Sequence, residues 1–240
     1  MPTAVPSGGV VDRSHVTAQH QEFRHDLRMA VFLANIGVNA GHTARSPLFG
    51  DDSFTVIPIP ERMKWRPPML RLKDLPEIAE HAPESLARIA VHLDPDFRSP
   101  VPTYGDNCRR AARAFALRKA APGDRIVFLA RLHPRNTPPA FYLVGELHID
   151  EILPDLVKDP GPGWWDGNAH LLRARATDAW DSFWVFRGGP DSGFYPQARP
   201  FRREEVETLF SEPWLWRENR SELQTIGSYT RTIRRLPGAE

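Results

Sequence analysis

A chain of 240 residues, 41% apolar and 25% charged, can bury a core of its own, and a net charge near +1 excludes a protein that is polycationic as a whole. One cysteine, Cys108, excludes an internal disulfide framework and a cysteine-built zinc cage, so a reducing cytoplasm is the expected compartment. No apolar run approaches the roughly 18 residues of a membrane helix, and residues 1–26 lack a cationic head followed by an apolar stretch, so neither a membrane span nor a secretory signal is expected.

Proline, at 24 residues, is about twice its usual share, which predicts short elements joined by stiff loops rather than long helices. Residues 1–26, with His15, His20 and His25, read as a disordered polar tail, followed by one domain over 27–240. The apolar run 29–37 predicts a strand buried on both faces, and the Asn- and Gly-bearing stretch 38–43 a turn. A second strand is expected over 54–59, held to an edge by Pro58 and Pro60. Short helices are expected from Asp74 and over 83–90. Asp106 reads as the N-cap of a helix over 107–119, with Arg109, Arg110 and Arg113 sharing one face. Pro122-Gly123-Asp124 is a turn into a strong strand over 125–132. Residues 141–149 are its antiparallel partner, with Gly145 marking a bulge or a close backbone approach. A Gly/Pro loop over 160–167, a helical turn over 168–175, a strand over 182–187, a helix over 203–210 and a mostly helical tail complete an α+β pattern.

The phosphate-binding glycine loop, the dinucleotide fingerprint, the nucleophile elbow and C-x-x-C are all absent from the sequence, so those enzyme classes have no support. His92, Asp94 and Asp96 alternate in an extended segment and would face one side as acid–base groups or cation ligands. Asp-Pro is also ordinary turn chemistry, and neither a metal nor a cofactor is assigned. Tyr104 at a turn before the arginine-bearing stretch could stack on a base, with Asp106 beside it as a further acid–base group. Trp164 and Trp165, in a glycine-rich loop, are candidates for the same stacking, and Asn168 and His170 for reading a base edge. Arg109, Arg110 and Arg113 are the candidate phosphate contacts. Further positive charge gathers at Arg199, Arg202, Arg203, Arg231, Arg234 and Arg235, which a solvated surface explains as well as phosphate does. Cys108 reads as a core residue rather than a nucleophile.

Several segments together resemble the nucleotide modification associated domain family, third type. They are Asn35-Ile-Gly-Val-Asn39-Ala-Gly41 with Ser46-Pro-Leu-Phe, Phe54-Thr-Val-Ile-Pro-Ile-Pro-Glu61, His92-Leu-Asp-Pro-Asp-Phe97, Thr103-Tyr-Gly-Asp106, the Pro122-Gly-Asp124 hairpin and Asn168-Ala-His170. The resemblance implies association with systems that make or recognise altered DNA bases in phages and bacteria. The Gly-Asp turn and its two strands also look like the barrel strands of PUA-like folds, including EVE and ASCH domains, which bind RNA or modified bases. The expected fold is therefore α+β, a PUA-like mixed or antiparallel β-barrel or strongly bent sheet with flanking short helices. The expected function is binding of a nucleotide or modified DNA base, with His92, Asp94, Asp96 and Asp106 forming the catalytic set if the protein is instead an enzyme. A structural role within a defence or phage assembly is the third reading. The expected partners are DNA or a nucleotide and other components of such a system, with no membrane.

Overall fold

Side chains alternate to opposite faces of a strand, and the apolar run after Met29 fills both. A computed structural model describes residues 29–61, 70–210 and 213–236, and in it Val31–Ile36 forms strand β1. Phe32, Ala34 and Ile36 enter one buried cluster, and Leu33 enters another on the opposite face. The same division runs through the longer strands β6 (Arg125–Pro134) and β7 (Ala140–Leu156). Ile126, Phe128 and Val144 face the first cluster; Leu129 and Phe141 face the second. Burial of each such side chain contributes about 1.5–3 kcal/mol before entropy is counted, so the two-sided sheet is where the stability is concentrated.

The remaining strands are β2 (Ser46–Leu48), β3 (Ile59–Pro60), β4 (Val91–His92), β5 (Thr103–Asn107), β8 (Phe183–Gly188), β9 (Gly193–Pro200) and β10 (Arg234–Arg235). The helices α1 (Pro76–Ala79), α2 (Ala169–Thr177), α3 (Arg203–Leu209) and α4 (Glu222–Tyr229) are short. The main sheet runs β10-β1-β6-β7-β8-β5, and β3 pairs separately with β4. The two long strands change partners along their length. β6 is parallel to β1 over Arg125–Ala130 and parallel to β2 over Leu132–Pro134. β7 pairs with β9 in its first half and with β8 in its second, with register shifts after Ile149 and Leu153. Such bulges bend a strand. Asp155 adopts φ +49 in the same stretch.

The expected barrel does not form: among the described residues the sheet stays open, with β10 and β5 at its ends. The mixed α+β class stands. Asp124 does hold the predicted turn, accepting hydrogen bonds from Ala30 N (2.8 Å) and Ala121 N (2.9 Å), which ties the start of β6 to the start of β1.

Other expectations are corrected. The helix over 107–119 is replaced by β5, which pairs residue for residue with β8, then a turn through Ala111 at φ +64 and a 3₁₀ helix at Phe115–Lys119. The reason is burial: Thr103, Tyr104, Gly105 and Asp106 are all buried, as a strand covered on both faces requires and a helix entrance does not. Arg109, Arg110 and Arg113 therefore share no helical face. The strand over 54–59 reduces to a bridge at Phe54 and the pair Ile59–Pro60, because the prolines withhold ladder donors. The helix over 83–90 shrinks to a 3₁₀ turn at Glu84–Leu86. The expected tail over 1–26 and Trp65 lie outside the described residues. No helix among the described residues is long and apolar enough to cross a membrane.

Candidate functional site

Strand pairing and one helix N-cap converge on a small cavity. Asn168, completely buried, accepts a hydrogen bond from His170 N (3.0 Å) and donates to Thr103 Oγ1 (3.2 Å), so it starts α2 and pins that start to β5. This close approach needs Gly105, because a Cβ there would lie 2.8 Å from both Asn168 Oδ1 and His170 Cδ2. The first turn of α2 thus carries His170 over the end of β5. Asn168→Ala removes both the cap and the cross-link and is expected to cost about 2 kcal/mol, the upper end of the N-cap range. Chemical denaturation measures it.

Against His170 stand His92, at the end of β4, and Asp94 in the following loop. His170 Nε2 lies 3.5 Å and His92 Nε2 3.7 Å from Asp94 Oδ2, and the two imidazole rings meet edge-on at 4.4 Å. All three side chains are buried. Glu61 Oε1 sits 2.9 Å from His92 Nδ1. A carboxylate accepts, so Nδ1 carries the proton and the Nε2 lone pair faces Asp94. Gly105 N–H donates to both oxygens of Asp94, at 3.0 and 2.8 Å. Burial pushes the Asp94 carboxyl well above the usual range, against the pull of that N–H. Burial likewise holds His170 well below an ordinary imidazole, with the neighbouring His92 adding to the effect. His170 Nδ1 is buried and has no hydrogen-bond partner among the described residues.

The opposite wall is a second network. Tyr104, 2% exposed, donates its hydroxyl to Asp106 Oδ2 at 2.6 Å, and Arg113 Nε donates to the same oxygen at 2.9 Å. Arg113 reaches on to the carbonyl of Asn35 at 2.9 Å, tying the loop before the 3₁₀ helix to β1. Together these groups line a cavity of about 230 Å³, with Arg173 at its side. It shares Asn35, Gly37, Ile59 and Arg113 with an adjoining cleft of about 660 Å³. Arg131, Arg220 and Arg231 also line that cleft. The Nε of Arg131 is buried there without a partner among the described residues.

Of the expected catalytic set, His92, Asp94 and Asp106 meet at this cavity and Asp96 does not. Asp96 accepts hydrogen bonds from Arg98 N, Ser99 N and the Ser99 hydroxyl, which is the turn chemistry open to an Asp-Pro-Asp segment. Of the expected base-binding set, Tyr104 and His170 line the cavity, and Asn168 stands behind Gly105. Trp164 and Trp165 line neither space. They pack edge-on to one another at 5.2 Å beside Leu171 and Phe183, with Trp165 Nε1 donating to Gly161 O and the Arg187 guanidinium over Trp164. Arg113 joins the site, whereas Arg109 and Arg110 are exposed and line neither space.

Sequence reasoning assigned no role to Glu61, Arg131, Arg173 or Arg220. Glu61 could have been found as the acidic end of Pro-Ile-Pro-Glu; the arginines carried no local signal. Arg199, Arg202, Arg203 and Arg234 lie over aromatic rings, which accounts for much of the C-terminal charge without a ligand. Cys108 is fully buried and its thiol is pushed up by burial, so it holds no reactive thiolate.

The family described as nucleotide modification associated domain 3 matches residues 30–236, and the chain belongs to it. The matched span contains every residue of the cavity. No curated protein and no solved structure matches the chain.

Proposed function

We propose that the protein is a nucleotide-modifying enzyme. In this reading the arginine-lined cleft takes the phosphate of a nucleotide within a DNA strand, and the cavity takes the base or sugar that reacts. The observation that carries it is the meeting of a buried His–Asp–His centre with a cleft bordered by Arg113, Arg131, Arg220 and Arg231. Membership of a nucleotide modification associated family supports the same substrate class.

The sizes fit a division of labour. About 230 Å³ is below the range that holds a whole drug-sized ligand, so the cavity suits one ring of the substrate, and the larger cleft suits the remainder. Guanidinium groups match phosphate oxygens in pairs, and four of them border this cleft. Tyr104, Asp106 and Arg113 position the opposite wall. A module that binds a base by stacking it between Tyr104, Trp164 and Trp165 has less support, because the indoles border neither space. The setting of the reaction is then a base-modification system of a phage or bacterium.

Nucleosides from the DNA of cells expressing the protein, analysed by mass spectrometry, test the chemistry. A new nucleoside mass is expected with the wild type and is lost with His170→Ala. Binding to short single-stranded DNA is expected to weaken for every sequence in Arg131→Ala and Arg220→Ala. The salt slope should fall by about 0.7 per phosphate contact removed. An unchanged nucleoside profile, or DNA affinity indifferent to both arginines, overturns the proposal.

A further inference from the structure

We propose that His92 Nε2, Asp94 Oδ2 and His170 Nε2 together bind one divalent transition-metal cation, with coordination positions left open to the cavity. The three donor atoms lie within 4.8 Å of one another. The two nitrogens stand 3.7 and 3.5 Å from the same carboxylate oxygen. Those separations are too long for hydrogen bonds. A cation about 2.1 Å from each donor would set its ligands about 3–3.5 Å apart, so both nitrogen–carboxylate separations close on a metal with shifts of a few tenths of an ångström.

The surroundings are those of ligands held for a metal rather than of a casual acidic cluster. Glu61 accepts from His92 Nδ1, which turns the Nε2 lone pair inward, and Gly105 N–H orients Asp94 from behind. Side-chain exposure is 10% for His92, 3% for Asp94 and 11% for His170. Three potential ligand atoms face one another at that depth, where a shared cation would satisfy them together. A second, independent observation is the buried Nδ1 of His170, a polar atom with no hydrogen-bond partner among the described residues. β5 holds two of the donors, Asp94 through the Gly105 N–H and His170 through the Asn168–Thr103 bond, while Glu61 and the β3–β4 pairing hold His92.

Neighbouring groups limit the donor set to these three. Asp106 is occupied by Arg113 and Tyr104 and faces the cavity as a neutralised group. Two imidazoles and one carboxylate favour a zinc- or iron-like ion over magnesium or calcium, which take oxygen ligands. Such an ion polarises a substrate oxygen or a bound water. This names the polarising group of the proposed reaction, but it stands on side chains alone and is tested without any nucleotide.

The experiment uses the full chain, stripped with a chelator and titrated with Co(II) alone, followed by visible absorption and calorimetry. One equivalent is expected to bind with ligand-field bands that Zn(II) displaces. Asp94→Asn and His170→Ala are expected to abolish this saturable uptake, and Glu61→Gln to weaken it about 10–100-fold while leaving all three ligands in place. Glu61→Gln preserves the size of the side chain, so it decides the matter if the ligand variants fail to fold by circular dichroism. Absence of stoichiometric uptake by the wild type overturns the proposal. So does uptake unchanged in the variants, as would follow from binding at His15, His20 and His25. Either result leaves the DNA-binding measurements to stand or fall separately.

Discussion

Gly145→Ala is expected to destabilise the protein by about 3 kcal/mol, the upper end of the usual cost of overpacking. Gly145 lies in β7 between Phe128 of β6 and Phe194 of β9. A Cβ there would come within 2.5 Å of the Gly193 carbonyl oxygen and 2.9 Å of Phe194 Cα. Both are backbone atoms, so no rotamer change relieves the contact and β9 must move away from the sheet. Gly193→Ala, across the same strand pair, is the matched control: its Cβ would meet nothing within 4 Å. That variant is expected to stay within about 0.5 kcal/mol of the wild type. Urea denaturation of the pair measures the difference, and equal stability of the two variants would contradict the close approach.

Gly105→Ala is expected to combine a loss of about 2 kcal/mol with disassembly of the centre. The new Cβ collides with two side chains that cannot yield cheaply. Asn168 is completely buried and committed to capping α2, and His170 is confined between the edge of His92 and the face of Phe183. Displacing α2 carries His170 away from Asp94, so Co(II) uptake should fall with stability. Asn168→Ala is the comparison, since it removes the cap and the cross-link to β5 without adding an atom beside the imidazole. A Gly105→Ala protein that retains both its stability and full Co(II) affinity would rule out this role for the glycine.

The two glycines differ in how far they can be read. Gly145 interrupts an otherwise apolar strand, and that local signal alone suggests a close backbone approach. Gly105 sits in Thr-Tyr-Gly-Asp, where the same residue types suit a turn before a helix. Its actual role depends on α2, which is far away in the chain. Asp106 misleads for a similar reason. An aspartate before a polar stretch is a good N-cap, but its carboxylate instead accepts from Tyr104 and Arg113, partners that a strand conformation brings within reach.

By itself the sequence determined what depends on neighbours a few residues apart. The two-sided strand after Met29, the Asp124 turn with its hairpin, the helical turn beginning at Asn168 and the family to which the chain belongs were all legible in it. Tertiary structure alone decided that the sheet stays open, that Asp94 and Asp96 part company, and that Glu61, His92 and His170 gather at the end of β5. Local periodicity shows which face of an element is apolar, but not which element will cover it. The cavity arises where β1, β4, β5 and α2 meet, and their juxtaposition follows from filling the core on both faces of one sheet.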